Sequence, residues 1–337
     1  MKIPLERSDV GMLSRRRFMY LMGGMALAYY LSGCIKLFDK PITVGAHVWP
    51  GYEPLFLARK EGWLDATKVR LLETSSASDS LRALSDGTLQ GAALTLDEVL
   101  RARGNGIPLS VVMIFDISAG ADILLVRSGT TKLSDLKGRR IGFEPGAVRE
   151  LMLSEVLRAA GLTKEDARLI PLTIDKQRDA WIHNLMDACI TFEPVAGQLM
   201  EQGAVNLFDS RQLPDTIFDV LAIRGDALDS QHADAIRHLI LCHFKALDHL
   251  QHNPHDAAYR MASHLRLPVA DVLPAFKGLV LPGAANNNRL LSGNTPKLLT
   301  TARKLSTLMV RGGSLKQEDR MDSLIHTEFL PTEFQVA

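Results

Sequence analysis

From residue 41 onward, short apolar blocks and amphipathic blocks take turns along this 337-residue chain. Pro41-Ile42-Thr43-Val44-Gly45-Ala46 opens a strand, and Leu55 to Leu64 carries Leu55, Ala58 and Trp63 near helical spacing. Val69 to Leu72 predicts a strand, Asp79 to Ser85 a helix, Gly91 to Leu94 a strand and Leu96 to Arg103 a helix. Leu109 to Phe115 is almost continuously apolar, as in a strand buried on both faces, and Ile123 to Val126 predicts another. After the polar break at Ser128-Gly129-Thr130-Thr131 the alternation resumes. Strands are expected at Arg140–Phe143, Arg168–Leu172, Ala188–Phe192 and Val205–Phe208. Helices are expected at Ala147–Ala160, closed by Gly161, at Lys176–Asn184, and at Pro194–Gln202, where Pro suits the first turn. Val220 to Ile223 leads out of this second sheet. From Asp226 the chain reads as helical, over Gln231–Gln251, Pro254–His264, Val269–Lys277 and Pro296–Val310, with Asn286-Asn287-Asn288 in a loop. Alternating strands and helices with a helical tail predict an α/β protein of two doubly wound lobes and a helical C-terminal segment.

The first 33 residues follow another pattern. Arg15-Arg16-Arg17 precede an apolar run from Phe18 to Leu31, which ends in Leu31-Ser32-Gly33-Cys34. A basic start, a short apolar middle and a small-residue cleavage site describe an export signal; the run is shorter than the roughly 20 residues a membrane span needs. Leu-Ser-Gly-Cys fits the bacterial lipobox, which makes Cys34 the expected lipidation site and mature N-terminus, carrying a palmitate-type anchor. Ser14-Arg15-Arg16-Arg17-Phe18-Met19 fits a twin-arginine signal, although Tyr20 stands where that pattern often has Lys, so the export route stays open. Residues 1–33 are thus expected to be a signal peptide and 34–40 a lipidated tether. The mature protein is expected to be a lipid-anchored monomer on the periplasmic side of the envelope.

Composition narrows the partners. The chain has 39 basic and 38 acidic residues. Cleavage removes Lys2, Arg7, Arg15, Arg16, Arg17, Glu6 and Asp9, moving the net charge from +1 to −2. No basic stripe for nucleic acid results. Cys189 and Cys242 each lie in apolar sequence, which favours buried thiols over a disulfide. Six of the ten histidines (His232, His238, His243, His249, His252, His255) crowd one helical region, but their spacing gives no tetrahedral ligand set. A solvated helix face is expected, with no metal and no cofactor. Gly-x-Ser-x-Gly and His-Glu-x-x-His are both missing, and the chain is expected not to be an enzyme.

Four stretches carry a family resemblance: Trp49-Pro50-Gly51-Tyr52-Glu53-Pro54-Leu55, Asp116-Ile117-Ser118-Ala119-Gly120-Ala121-Asp122, Leu136 to Glu144, and Asp187 to Pro194. In this order the chain resembles the substrate-binding lipoproteins of ABC importers in the nitrate/sulfonate/taurine group, which includes thiamine-pyrimidine-type binders. The resemblance implies a two-lobed periplasmic-binding-protein fold of type II. Lobe 1 would comprise residues 41–127 plus 224–337, and lobe 2 residues 128–223. It further implies capture of a small organic solute, sulfonate- or taurine-like, in the cleft, and delivery to an ABC permease and its ATPase. A sensory protein that presents ligand to a receptor is an alternative. A thiamine-pyrimidine-related enzyme is another, although the chain has no Cys cluster.

Physical chemistry points to the same cleft, because ligands of open parallel sheets bind beyond the carboxyl ends of the strands, where helix N-termini favour anions. Trp49 and Tyr52, flanking Pro50-Gly51, either line a pocket or pack on their own helix. Thr95 either donates to a ligand or caps the helix from Leu96. Gly146 would let an anion approach backbone N–H groups. Arg149 in the first helical turn opposes the helix dipole, which suits an anion partner or a plain surface side chain. Asp116, Asp122, Glu144, Glu193 and Asp219 form an acidic set; if two of them touch the ligand, it should carry an amine, because unpaired buried carboxylates are costly. The candidate ligand residues are Trp49, Tyr52, Thr95, Asp116, Gly146, Arg149 and Glu193.

Overall fold

The computed structural model describes residues 40–145 and 147–332; the expected export segment, Cys34 and Gly146 lie outside the described residues. The chain begins β1 (Ile42–His47), α1 (Glu53–Lys60), β2 (Val69–Thr74), α2 (Ala77–Ser85), β3 (Gly91–Thr95), α3 (Leu96–Gly104), β4 (Leu109–Ser118) and β5 (Ile123–Val126). It continues through β6 (Arg140–Phe143), α4 (Ala147–Ala160), β7 (Arg168–Pro171), α5 (Ile174–Ile182), β8 (Ala188–Thr191), α6 (Val195–Glu201), β9 (Val205–Asp209) and β10 (Phe218–Arg224). Last come α7 (Ala233–His252), α8 (Pro254–Leu265), α9 (Val269–Ala275), β11 (Leu279–Val280), α10 (Ala284–Leu291) and α11 (Lys297–Arg311).

The strands form a six-stranded sheet, β11-β4-β10-β3-β1-β2, and a five-stranded sheet, β7-β6-β8-β5-β9. In each sheet the strands joined through helices run parallel, and one inserted strand runs against its neighbours: β10 between β3 and β4, and β5 between β8 and β9. The expected lobe limits, 127/128 and 223/224, fall just after β5 and within β10. β5 pairs Ile123 with Thr191 and Asp209, so it belongs to the second sheet, and Phe218–Arg224 is a central strand of the first. The reason is burial: both segments are apolar and sheltered on two faces, which only a central position satisfies.

The first sheet has one continuous core. β4 is buried from Leu109 to Asp116, and α7 buries Ile236, Leu239, Ile240, Phe244 and Leu247 in the same core, packing on α1. Each such fully buried side chain contributes about 1.5–3 kcal/mol. The second sheet has a cluster on each face, one under α4 and one under α5 and α6.

Two expectations for the helical tail are corrected. The Asn run is not a loop but part of α10, because Asn287 is fully buried and bridges to β4. It accepts from the Ile114 N–H at 2.7 Å and donates to the carbonyls of Ile114 (3.0 Å) and Pro282 (2.9 Å). His243 does not lie on a solvated face; it is fully buried, edge-on to Phe115 and Phe244. His232, His249 and His252 do pair with nearby aspartates at the surface, and no metal-holding group occurs among the described residues. Cys189 and Cys242 are buried free thiols.

Candidate functional site

The parallel strands of the first sheet end at His47, Thr74, Thr95 and Ser118, and loops of the second sheet meet them there. After β1 the chain turns through Trp49-Pro50-Gly51-Tyr52, with the Tyr52 N–H donating to the Trp49 carbonyl at 3.0 Å. This turn aims both aromatic side chains inward. The Trp49 indole donates to Asp116 Oδ2 at 3.0 Å, and the Tyr52 hydroxyl donates to Asp219 Oδ1. Gly51 is required: a Cβ there would stand 1.8 Å from Asp116 Oδ2 and 2.6 Å from the indole nitrogen.

Asp219 is in register with Thr95 on one side and Asp116 on the other, so three neighbouring strands present these side chains on one face. The Thr95 N–H is satisfied by Glu98 Oε2 at 2.9 Å, while its hydroxyl, although buried, has no hydrogen-bond partner. Thr95 thus starts α3 in a capping-box arrangement with Glu98, which holds the Thr95 backbone.

The second sheet contributes Glu144, Arg149 and Phe192. Arg149 is buried, lies over the Phe192 ring at 4.8 Å and places Nη1 3.6 Å from Glu98 of the first lobe. Phe192 meets the Trp49 ring edge-on at 4.9 Å and His47 at 5.9 Å. The Val148 N–H, in the first turn of α4, donates to Asp97 Oδ2 at 2.6 Å, and Ser78 donates to Glu144 at 3.2 Å. A side chain of the first lobe therefore takes one N–H of the helix start expected to receive an anion. Glu193 stands apart; its carboxylate accepts from the Gly197 N–H at 2.9 Å and caps its own helix. Beside it, a cavity of about 750 Å³ opens between the lobes, lined by Thr74, Ser75, Arg178, Val195 and Gln198 among others.

The electrostatics follow from burial. Asp116 is pushed up to about 7 by burial, against the Trp49 N–H, and Asp219 is raised well above the carboxylate range by burial and then by the charge of Asp116. Burial, with Glu98 beside it, lifts Asp97 to about 6. It also raises Asp122 and Glu144 against the pull of Arg149. Burial alone would lower Arg149, but Glu98, Asp122, Glu144 and Asp97 overcome this and hold it above its ordinary value. His47 is brought down to about 4 by burial and stays neutral. Unpartnered buried atoms collect here: His47 Nδ1, Thr95 Oγ1, Asp116 Oδ1 and Arg149 Nε. Buried polar atoms are rarely left without partners, so their concentration at one point makes this cluster the candidate site.

Trp49, Tyr52, Thr95, Asp116 and Arg149 thus converge, whereas Glu193 does not. Asp97, Glu98 and Phe192 join them without having been expected. Thr95-x-x-Glu98 is a capping-box pattern readable in sequence, but nothing local signals that Glu98 also reaches Arg149.

Two α/β lobes whose loops close over one buried polar cluster give the chain the two-lobed fold of periplasmic binding proteins. The chain belongs to the NMT1/THI5-like family, whose model matches residues 49–257. It is similar to the alkanesulfonate-binding protein SsuA of Xanthomonas axonopodis pv. citri, solved with MOPS bound, with a TM-score of 0.72 and 20% identity over 86% of this chain and 99% of that one. The desulfurization enzyme DSZB shares the fold, with a TM-score of 0.60 and 19% identity over 86% of this chain and 97% of that one. A Brucella abortus (strain 2308) protein, named as a binding protein without a ligand, is 24% identical over 45% of this chain and 49% of its own length. The chain spans about half the length of the curated relatives it matches. Among the described residues no helix is long and apolar enough to cross a membrane.

Proposed function

We propose that the protein is the extracytoplasmic solute-binding lipoprotein of an ABC importer. It captures a small organic solute of the sulfonate- or taurine-like class between its lobes and delivers it to a permease, held at the membrane by lipid on Cys34. The observation that carries this reading is the set of buried, unpartnered polar atoms between the two sheets (His47 Nδ1, Thr95 Oγ1, Asp116 Oδ1 and Arg149 Nε). These are groups that a bound solute would satisfy.

Binding rather than catalysis is supported by the chemistry of the thiols. Burial pushes Cys242 up to about 11 and Cys189 higher still, and neither belongs to the cluster, so among the described residues no thiolate is offered to the cleft. The Tyr52 hydroxyl is likewise raised and committed to Asp219. The test is a thermal-shift screen of the full mature chain against sulfonates, nitrate, amino acids and pyrimidines. A solute at 100 times its Kd stabilises the folded state by about 2.7 kcal/mol. A flat response to every class would sink the reading, as would turnover of a member that does bind.

A further inference from the structure

The cluster between the lobes holds far more acid than base. Asp97, Glu98, Asp116, Asp122, Glu144 and Asp219 are each at most 4% exposed, and Arg149 is the cation buried among them. Arg149 is already matched, by Glu98 at 3.6 Å and by the Phe192 ring. One oxygen of Asp97 accepts from the Val148 N–H, and Asp97 Oδ1 accepts no hydrogen bond. Asp116 and Asp219 are set apart by position: they face each other in the register of neighbouring strands, their side-chain donors are the neutral Trp49 indole and Tyr52 phenol, and Asp116 Oδ1 accepts no hydrogen bond. We propose that the solute carries a protonated nitrogen and that Asp116 and Asp219 receive it, an inference that rests on the solute-binding reading above.

A second observation points the same way. The Thr95 hydroxyl, 4% exposed and unpartnered, sits beside Asp219 in the strand register and offers the solute a neutral hydrogen bond next to the acid pair. The walls are aromatic: Tyr52 is edge-on to His47 at 5.3 Å, and Trp49 to Phe192 at 4.9 Å. Aromatic faces attract cations, and the Arg149 guanidinium already lies on one of them. On the anion side, Asp97 Oδ2 takes the Val148 N–H of α4, which leaves Arg149 Nε and Nη1 as the donors without a hydrogen bond. A solute with both charges, such as an aminosulfonate or an amino acid, matches both ends. Nitrate or a plain sulfonate leaves the acid pair without a counter-ion.

Adjacent carboxyls can hold one proton between them, and an ammonium takes that proton's place while the proton leaves to solvent. Burial keeps the pair protonated towards neutral pH, and the charge of Asp116 raises Asp219 further. The ionisable groups facing the pair are Tyr52, Glu98, Asp122 and Arg149, with His47 neutral beside Tyr52. Affinity for a nitrogen-bearing solute should therefore rise as pH rises through about 7, and binding should release protons.

The experiment uses the full mature chain and matched pairs of probes that differ only in the nitrogen: 2-aminoethanesulfonate against 2-hydroxyethanesulfonate, and 3-aminopropionate against 3-hydroxypropionate. Thermal shift ranks them, and titration calorimetry in two buffers of different ionisation enthalpy counts the protons released. The expected result is at least tenfold tighter binding of a nitrogen-bearing member and loss of that advantage in Asp116→Asn and Asp219→Asn. Each Asn keeps an acceptor for its aromatic donor. If a variant fails to fold, the pH dependence and proton release of the unmutated chain still decide. Equal binding of both members, or an equal loss for both in the variants, overturns the inference while leaving solute binding intact. Silence from every probe counts against both readings.

Discussion

Replacing Asp116 by Asn isolates the buried acid pair in a stability measurement that needs no ligand. Asp116 titrates at about 7 in the folded protein, against an ordinary value of 3.8. Between these values the folded state binds the extra proton, so the parent protein loses stability as pH rises through this window. Asn removes that titration and keeps an acceptor for Trp49 Nε1. Near pH 4 a neutral amide replaces a neutral acid, and the two proteins should be of similar stability. At about 1.36 kcal/mol per pH unit, the variant should gain on the parent up to a few kcal/mol by pH 7, and the difference should then level off. Asp219, whose ionisation Asp116 opposes, adds to the gain. His47 and His243, held down at about 4 and about 3, lose stability on acidification, but they cancel in the difference between variant and parent. Urea unfolding of both proteins at about pH 4.5, 6 and 7.5 reads the difference, with equal m-values as the control. A difference that is flat in pH, or a variant that loses ground as pH rises, would refute the buried-pair argument.

Gly51→Ala would drive a methyl group into Asp116 Oδ2; it should lower stability by about 1–3 kcal/mol and abolish solute-induced thermal shifts, as followed by calorimetry. Asn287→Ala removes the three bonds that tie α10 to β4 and the Pro282 carbonyl, leaving the Ile114 groups buried. A loss of about 2–4 kcal/mol in urea unfolding is expected, and a change under about 0.5 kcal/mol would contradict that bridge. Arg149→Met leaves Glu98, Asp122 and Glu144 without their cation. Breaking a buried pair costs about 3–5 kcal/mol, and this cost should shrink from pH 7.5 to pH 5 as those of the carboxyls that burial raises take up protons. Cys34→Ala should move the protein from the membrane fraction to the soluble periplasmic fraction; unchanged retention would refute the lipid anchor.

Much of this architecture is legible from periodicity, and the exceptions share a cause. β5, β6 and α4 have the limits their apolar blocks predict, because each buries its pattern locally. The sheet to which β5 and β10 belong could not be read, since strand pairing is a long-range choice and ILLV would serve either sheet. α10 escaped because Asn is a weak helix former; its reason for being helical is a contact with β4, 173 positions away in sequence. The same holds at the site. Trp49, Tyr52 and Thr95 follow strand ends in the sequence pattern, whereas nothing local singles out Glu98, and Glu193 reads as a cleft residue. Tertiary geometry sets Glu98 beside Arg149, whereas Glu193 caps α6 through a local contact four residues along the chain.

The N-terminus of α4 shows why a family's ligands do not transfer along with its fold. A helix start facing the cleft is a generic anion site, and its field does attract a carboxylate here. That carboxylate belongs to Asp97, on the opposite lobe. Glu98 likewise takes one face of Arg149, and Ser78 donates to Glu144. Internal side chains have thus answered much of the positive potential that the fold provides, while Asp116 and Asp219 have only neutral donors. What a solute can gain is the difference between its own contacts and those it displaces. An oxyanion must compete with Asp97 for α4, whereas an ammonium displaces only a proton from the acid pair. On the proposed reading, selectivity in this cleft would follow from which of its charges the chain has already matched, with an acid pair held by neutral donors on one side and the Nε and Nη1 donors of Arg149 on the other.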